Sequence, residues 1–448
     1  MNPSPIFQWR LLFLVALLAS PSAAQLQHPL RPDVNKPAGG GEVILGKDDQ
    51  CITPEERTRI NNMLYQNRSE LINKGLLTEN RSSLVLFNWP VAQDPTLNYN
   101  NAWAISNYVD QDQAGGILDY NCGSRTYNGH YGIDIYTWPF SWYLKENDLV
   151  NAVAAAPGTI IAKDDGNVDN HCACSGSWNA VYVEHSDGSI AWYGHLKLGS
   201  LTSKTVGQTV STGEYLGVIA SSGCSTGPHL HFEVYEDTPY NLANLVDPFL
   251  GPCNSLNNQS WWNNQMTYTD PTINAVLTHS AAPLIGCPAN NEAPNFQDVF
   301  IPGQTIYTAF YYKDQASGTT ANYSLHRPDG TVYNAWNQTF NAYYSSSYWY
   351  WTWTLPSNGP FGTWTLRATY DGVTVNHPFQ YLQVPPPVEG VGVNILNPKA
   401  ELHIHDGALF IDNASKGIIM KAENGSCYLL KINTSGVITT QLLAQCPN

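Results

Sequence analysis

Alternating apolar and polar positions dominate the chain from residue 84 onward. Val181 to Glu184, Ile190 to Tyr193 and Leu230 to Tyr235 are short runs rich in β-branched and aromatic residues, broken by Gly, Asn, Asp and Ser, and they predict strands. After a Cys-, Asn- and Pro-containing bridge, Gln304 to Tyr312, Ala321 to His326, Tyr348 to Leu355 and Thr363 to Tyr370 repeat the pattern at the spacing of an immunoglobulin-like β-sandwich. Beyond Pro385-Pro386-Pro387 the alternation weakens but continues through Leu402, Ile404, Leu409 and Ile411.

A helical period occurs once, near the start. Thr53 is suited to cap a helix, Pro54 to its first position and Glu56 to a capping box. Ile60, Met63, Leu64, Leu71 and Ile72 form an intermittent apolar stripe, and Gly75 is placed to end the helix. The simplest role is packing, and a propeptide over the active site is the sharper alternative. Ahead of it, Gly, Pro and Asn are dense from Gln25 to Asp49, which reads as linker.

The first residues carry a different message. Arg10, the apolar run Leu11 to Leu18 and the small residues Ser22, Ala23 and Ala24 read as a signal peptide cleaved after Ala24, since that run is too short to span a bilayer. No later segment is apolar for long enough to cross a membrane. The expected organisation is therefore signal peptide 1–24, linker and helix 25–83, a β-rich domain 84–252 that carries the chemistry, linker 253–294, sandwich 295–385 and β-rich tail 386–448. The fold class is mainly β, and the location is periplasmic or extracellular.

Composition narrows the possible partners. With 13% charged residues, about half the usual ~25%, and a net charge of −15, the chain lacks the clustered Lys and Arg that nucleic acid demands. Nine cysteines in an exported chain predict disulfides with one residue left over; Cys427 and Cys446 form a local candidate pair. The sequence His171-Cys172-Ala173-Cys174 resembles a metal cluster in outline, but disulfide formation is the preferred reading.

Two motifs carry metal chemistry. In Gly129-His130-Tyr131-Gly132-Ile133-Asp134, extended backbone places His130 and Asp134 on one face; in Gly227-Pro228-His229-Leu230-His231, it does the same for His229 and His231. Two imidazoles and a carboxylate suffice for catalytic zinc with a position left for water. A third element, Trp192-Tyr193-Gly194-His195-Leu196, adds His195 on an independent predicted strand.

With these motifs in order, residues from about Phe87 to Asp247 resemble the lysostaphin-type zinc endopeptidases, which cut bacterial cell-wall peptides. Asn151 to Thr159, Gly207 to Gly217 and Ser225 to Pro228 also resemble that family's intervening segments. The resemblance implies an antiparallel β peptidase domain over 84–252 binding one Zn2+, with His130, Asp134 and His231 as ligands and His229 and His195 as catalytic residues. His229 is expected to act as general base, and His195, protonated or as a neutral donor, to stabilise the oxyanion. Cys224 and the segment Cys172 to Trp178 depart from the family pattern and bear on the shape of the groove.

The implied substrate is peptidoglycan. The rivals are an extracellular protease of Gly-rich proteins and a non-catalytic wall-binding or adhesion scaffold. His185, beside a turn signal, is expected at the surface. His403 and His405 alternate without an accompanying carboxylate, and the aromatics Tyr343 to Trp353 offer one face to the sandwich core and another to glycans.

Overall fold

A computed structural model describes residues 36–44, 51–79, 81–112, 114–383, 391–393, 402–404, 417–422 and 426–443. The signal peptide, Cys446, His405, Leu409, Ile411 and the proline run lie outside the described residues. Two compact units separate between Tyr381 and Leu382. The second contains strand pairs at Val391–Val393 with Leu402–Ile404, and a small antiparallel sheet of Ile418–Lys421, Cys427–Ile432 and Ile438–Leu442. Within the described residues no helix is long and apolar enough to cross a membrane.

The first unit opens with β1 (Gly39–Glu42) and α1 (Pro54–Asn73). The expected cap is present: Thr53 Oγ1 accepts from the Glu56 amide at 3.2 Å. Glu56 turns its carboxylate to Arg59 at 2.8 Å and Ser177 at 3.1 Å instead of completing the box. Ile60, Leu64 and Leu71 are buried in the core that also holds the site-bearing strands, each contributing roughly 1.5–3 kcal/mol. Polar contacts add to the grip, with Arg59 on Asp164 at 2.8 Å, Arg68 on Glu184 at 3.0 Å and Asn67 on the Ile161 carbonyl at 3.0 Å.

The site-bearing sheet contains β2 (Trp103–Asn107), β3 (Gly132–Thr137), β4 (Gly158–Asp164), β5 (Ala180–His185), β6 (Ile190–Gly194) and β7 (His229–Tyr235). Their order is β4-β5-β6-β7-β3-β2. β3, β6 and β7 are buried along their whole length. β7 lies between β6 and β3, so His231 faces Gly194 on one side and Asp134 on the other, and Asn107 of β2 lies opposite Asp134 in turn. One row across four strands thereby brings sequence-distant residues to one face.

His185 departs from its expected exposure: it is buried, its Nδ1 donates to the Pro157 carbonyl at 2.8 Å, and its ring lies against Phe87. The turn signal beside it was real, since Gly188 N bonds His185 O, but the ring turns inward beneath Phe87. Asp247 is likewise buried, and burial pushes its carboxyl up to about 8. The folded state therefore holds this proton more tightly than the unfolded chain. Stability from this group should be fully present below the ordinary carboxyl range near pH 4 and be lost as pH rises through about 8. Thermal melts should show this slope in the wild type and a flatter one in Asp247→Asn.

The stretch read as linker contains β8 (Thr272–His279), which joins β9 (Ile306–Gln315) in a sheet. Ile273 and Val276 face the sandwich core while Ala275 and Leu277 join the core of the site-bearing strands, so burial on both faces makes this run a strand. Further strands are β10 (Thr320–His326), β11 (Val332–Thr339), β12 (Tyr344–Trp353), β13 (Gly362–Tyr370) and β14 (Val373–Tyr381). They make two sheets, β1-β12-β9-β8 and β14-β13-β10-β11, sharing one aromatic core.

Alternation along β12 sends Trp351 and Trp353 into that core, and Tyr348 and Tyr350 toward the core of the site-bearing strands. β1 pairs antiparallel with β12 as the edge strand of this sheet, opposite Tyr348–Tyr350. The close approach requires Gly39 and Gly40: a Cβ on Gly39 would meet the Tyr350 hydroxyl at 2.4 Å, and one on Gly40 the Tyr348 carbonyl at 2.1 Å. Tyr348 and Tyr350 are half-buried, so packing and not solvent takes most of this face.

Candidate metal and catalytic site

Asp134, His231, His229, His130 and His195 converge on one buried point. Asp134 lies on β3 and His231 on β7, as alternation requires. His130 precedes β3, after Gly129 at φ +75°, and is anchored by its Nδ1 donating to the Tyr108 carbonyl at 2.8 Å. His195 lies one residue past β6 with φ +64°. Had the strand continued, His195 would face away from Gly194 and the site; the left-handed turn brings it back, a strained conformation held at a functional position.

The hydrogen bonds fix which nitrogen of each ring faces the centre. A carbonyl can only accept, so His130, His195 and His229 carry their protons on Nδ1, toward Tyr108 (2.8 Å), Ser222 (2.6 Å) and Gly227 (2.8 Å). Their Nε2 atoms are left directed at the centre. His231 is reversed: its Nε2 donates to Glu233 at 3.0 Å, leaving Nδ1 directed inward. Glu233 is held ionised against the cost of burial by Arg57 and His231.

Three potential ligand atoms consequently face one another. Asp134 Oδ1 lies 3.1 Å from His130 Nε2 and 2.9 Å from His231 Nδ1, and the two nitrogens are 3.3 Å apart. Tetrahedral zinc with bonds of ~2.0–2.1 Å spaces its donors about 3.3 Å apart, so the residues fit a divalent cation. Burial opposes the charge on Asp134, but His130 and His229 hold its carboxyl well below the usual range. Its other oxygen accepts from Asn107 at 3.0 Å.

His195 and His229 stand beside this triad with ring centres 4.4 Å apart. His229 is stacked on Tyr136, and His195 Nε2 is fully buried without a hydrogen-bond partner among the described residues. Burial, reinforced by His229 and His231, holds the His195 pKa well below its ordinary value. A neutral His195 whose only N–H is directed at Ser222 cannot donate to an oxyanion. Of the two expected states, the neutral-donor one fails, and His195 becomes a donor only after accepting a proton.

Residues 148–244 match the model of peptidase family M23. The chain carries an M23 peptidase domain. The M23 match includes His195, His229 and His231 and begins after His130 and Asp134; the sheet register sets Asp134 opposite His231, and His130 Nε2 lies 3.3 Å from His231 Nδ1. The chain is 34% identical over 110 residues to cell division protein DipM of Caulobacter vibrioides, covering 24% of this chain and 17% of that protein. It is 41% identical over 97 residues to the DD-carboxypeptidase/endopeptidase Mpg of Neisseria meningitidis (21% and 22% covered). It is 32% identical over 95 residues to the peptidoglycan DD-endopeptidase ShyC of Vibrio cholerae (21% of each). The chain thus spans about a fifth of the length of these relatives.

The segments flagged as departures from the pattern pack around the candidate site. Cys172 is bridged to Cys287 and Cys174 to Cys224, so neither belongs to a metal cluster; a third bridge joins Cys122 and Cys253. The tethered loop delivers Trp178 against His195 and His231, at ring-centre distances of 5.2 and 5.7 Å. Gly194 is required beneath it, because a Cβ there would meet the indole at 2.1 Å.

Sequence reasoning missed Trp178, Asn107, Glu233 and Cys51. Glu233 had a signal, since it continues the His229, His231 alternation on β7. Glu233→Gln keeps an acceptor but loses the charge orienting His231, and should weaken metal binding ~10–100-fold in a chelator competition titration. Cys51 had only the odd cysteine count. It is buried, with Sγ 2.7 Å from the Tyr127 hydroxyl, 3.7 and 3.8 Å from the Asp134 oxygens and 4.0 Å from His229 Nε2.

Proposed function

We propose that the protein is an exported zinc-dependent endopeptidase acting on peptidoglycan peptides, with His130, Asp134 and His231 as metal ligands and His229 and His195 as catalytic residues. The observation that carries this reading is the set of three potential ligand atoms at 2.9 to 3.3 Å beside two imidazoles whose Nδ1 atoms are tied to carbonyls, which leaves Nε2 directed at the centre. Two imidazoles and a carboxylate favour zinc, which would serve as a Lewis acid toward water and the scissile carbonyl.

The protein's own groups supply the proton path. His229 or His195 takes a proton from the attacking water at Nε2, and the resulting imidazolium N–H donates to the developing oxyanion or the leaving amine. Ser222 and Gly227 carbonyls hold both rings in the accepting tautomer throughout. Burial beneath Trp178 limits competing solvent and strengthens the electrostatics of the transition state.

Export to the periplasm or medium is supported by the signal-like leader and by the disulfides Cys122–Cys253, Cys172–Cys287 and Cys174–Cys224 among the described residues. Peptidoglycan is favoured over a Gly-rich protein because two similar proteins are named as endopeptidases, one of them of peptidoglycan. The test is digestion of purified sacculi and of a Gly-rich protein by the protein as its host exports it, with and without chelator. Metal-dependent new amino termini from sacculi are expected. Cleavage of the protein alone would replace the substrate, and cleavage of neither by metal-loaded protein would leave the scaffold reading.

A further inference from the structure

The N-terminal segment reaches the centre of this site. β1 pairs with the sandwich at β12, while α1 is embedded in the peptidase-domain core and clamped by Arg57, whose guanidinium pairs with Glu233 and the Tyr235 hydroxyl. Between these anchors stands Cys51, immediately ahead of α1. Cys51, Ile52 and Arg57 form one wall of the groove beside His130 and His231.

We propose that Cys51 is a fourth metal ligand, and that through it the N-terminal segment holds the chain in a latent state. This rests on the metal site proposed above. Zinc with a Zn–S bond of ~2.3 Å places sulfur about 3.6 Å from a carboxylate oxygen on the same ion. Cys51 Sγ is 3.7 Å from Asp134 Oδ1, and one donor atom from each of Cys51, His130, Asp134 and His231 lies within 4.8 Å of every other.

A second observation points to the same place. Cys51 also lies within 4.8 Å of the His195 and His229 donor atoms, and the His195 Nε2 there is buried without a partner among the described residues. The sulfur therefore occupies the space between the ligands and the catalytic imidazoles, where the attacking water must sit. A buried cysteine acting merely as a small apolar filler would seek aliphatic neighbours, whereas this sulfur faces a phenol, a carboxylate and an imidazole.

Latency follows from exclusion. Sulfur completes the tetrahedron, and α1, sharing Glu233 with His231, keeps it there. Release requires withdrawing residues 51–73 from the domain, which breaks the Arg57–Glu233 pair and exposes Ile60, Leu64 and Leu71.

The test loads the full chain and full-length Cys51→Ala with Co2+, then measures bound metal, the near-ultraviolet thiolate-to-cobalt charge-transfer band and peptide cleavage. One Co2+ should bind to each protein, with the band confined to the wild type and cleavage at least ~10-fold faster in Cys51→Ala. Alkylation of Cys51 in the wild type, independent of any variant's folding, should be slowed by Co2+ and restored by chelator. Equal spectra with metal bound to both proteins, or alkylation indifferent to Co2+, would overturn the cysteine ligand while leaving the three-residue site standing. Failure of both proteins to bind metal would overturn the site and the ligand together.

Discussion

His231→Ala should abolish metal binding and peptide cleavage while leaving the protein folded. The imidazole supplies one of three donors, so its loss should cost more than the ~10–100-fold in affinity that follows removal of an outer partner. The fold should survive because both carboxylates His231 touches keep other partners: Asn107 remains on Asp134 at 3.0 Å, and Arg57 and Tyr235 remain on Glu233. Metal content after gel filtration, read beside circular dichroism, checks both halves. A variant that retains stoichiometric metal would remove His231 from the ligand set.

His229→Ala and His195→Ala should behave differently, each keeping its metal and losing turnover by ~10²-fold or more. The reason is geometric. Each ring is tied by Nδ1 to a carbonyl, and its Nε2 lies beside the three-donor cluster without completing it. Equilibrium dialysis and steady-state rates on a wall peptide separate the two classes of residue. Loss of metal in either variant would exchange its assignment from proton carrier to ligand. Because the rings are only 4.4 Å apart, the double variant should lose less than the product of the single losses.

The groove is framed by parts of the chain with no local hint of their meeting. The Cys174–Cys224 bridge ties the loop bearing Trp178 to the approach to His229. The cysteines flagged as departures are therefore structural supports for the rings that perform the proposed chemistry. The N-terminal helix, open between packing element and active-site cover, packs and reaches the site at once.

What the sequence determined by itself is the set of elements and the chemical types at the site. Period-two alternation states which residues share a face, so His229 with His231, and one of the two aromatic sets along β12 with a core, could be read from the chain, while the register opposing Asp134 to His231 came from the sheet. Thr53 and Pro54 state where α1 begins because capping is local. Tertiary structure alone decided what depends on distant backbone: the tautomers fixed by the Tyr108, Ser222 and Gly227 carbonyls, the left-handed turn at His195, and the burial of His185. A carbonyl acceptor leaves no side-chain signature, and so no pattern along the chain could announce it. Cys51 is the extreme case, since its sulfur meets Asp134 across 83 residues of sequence, and only packing of α1 against the sheet brings it there.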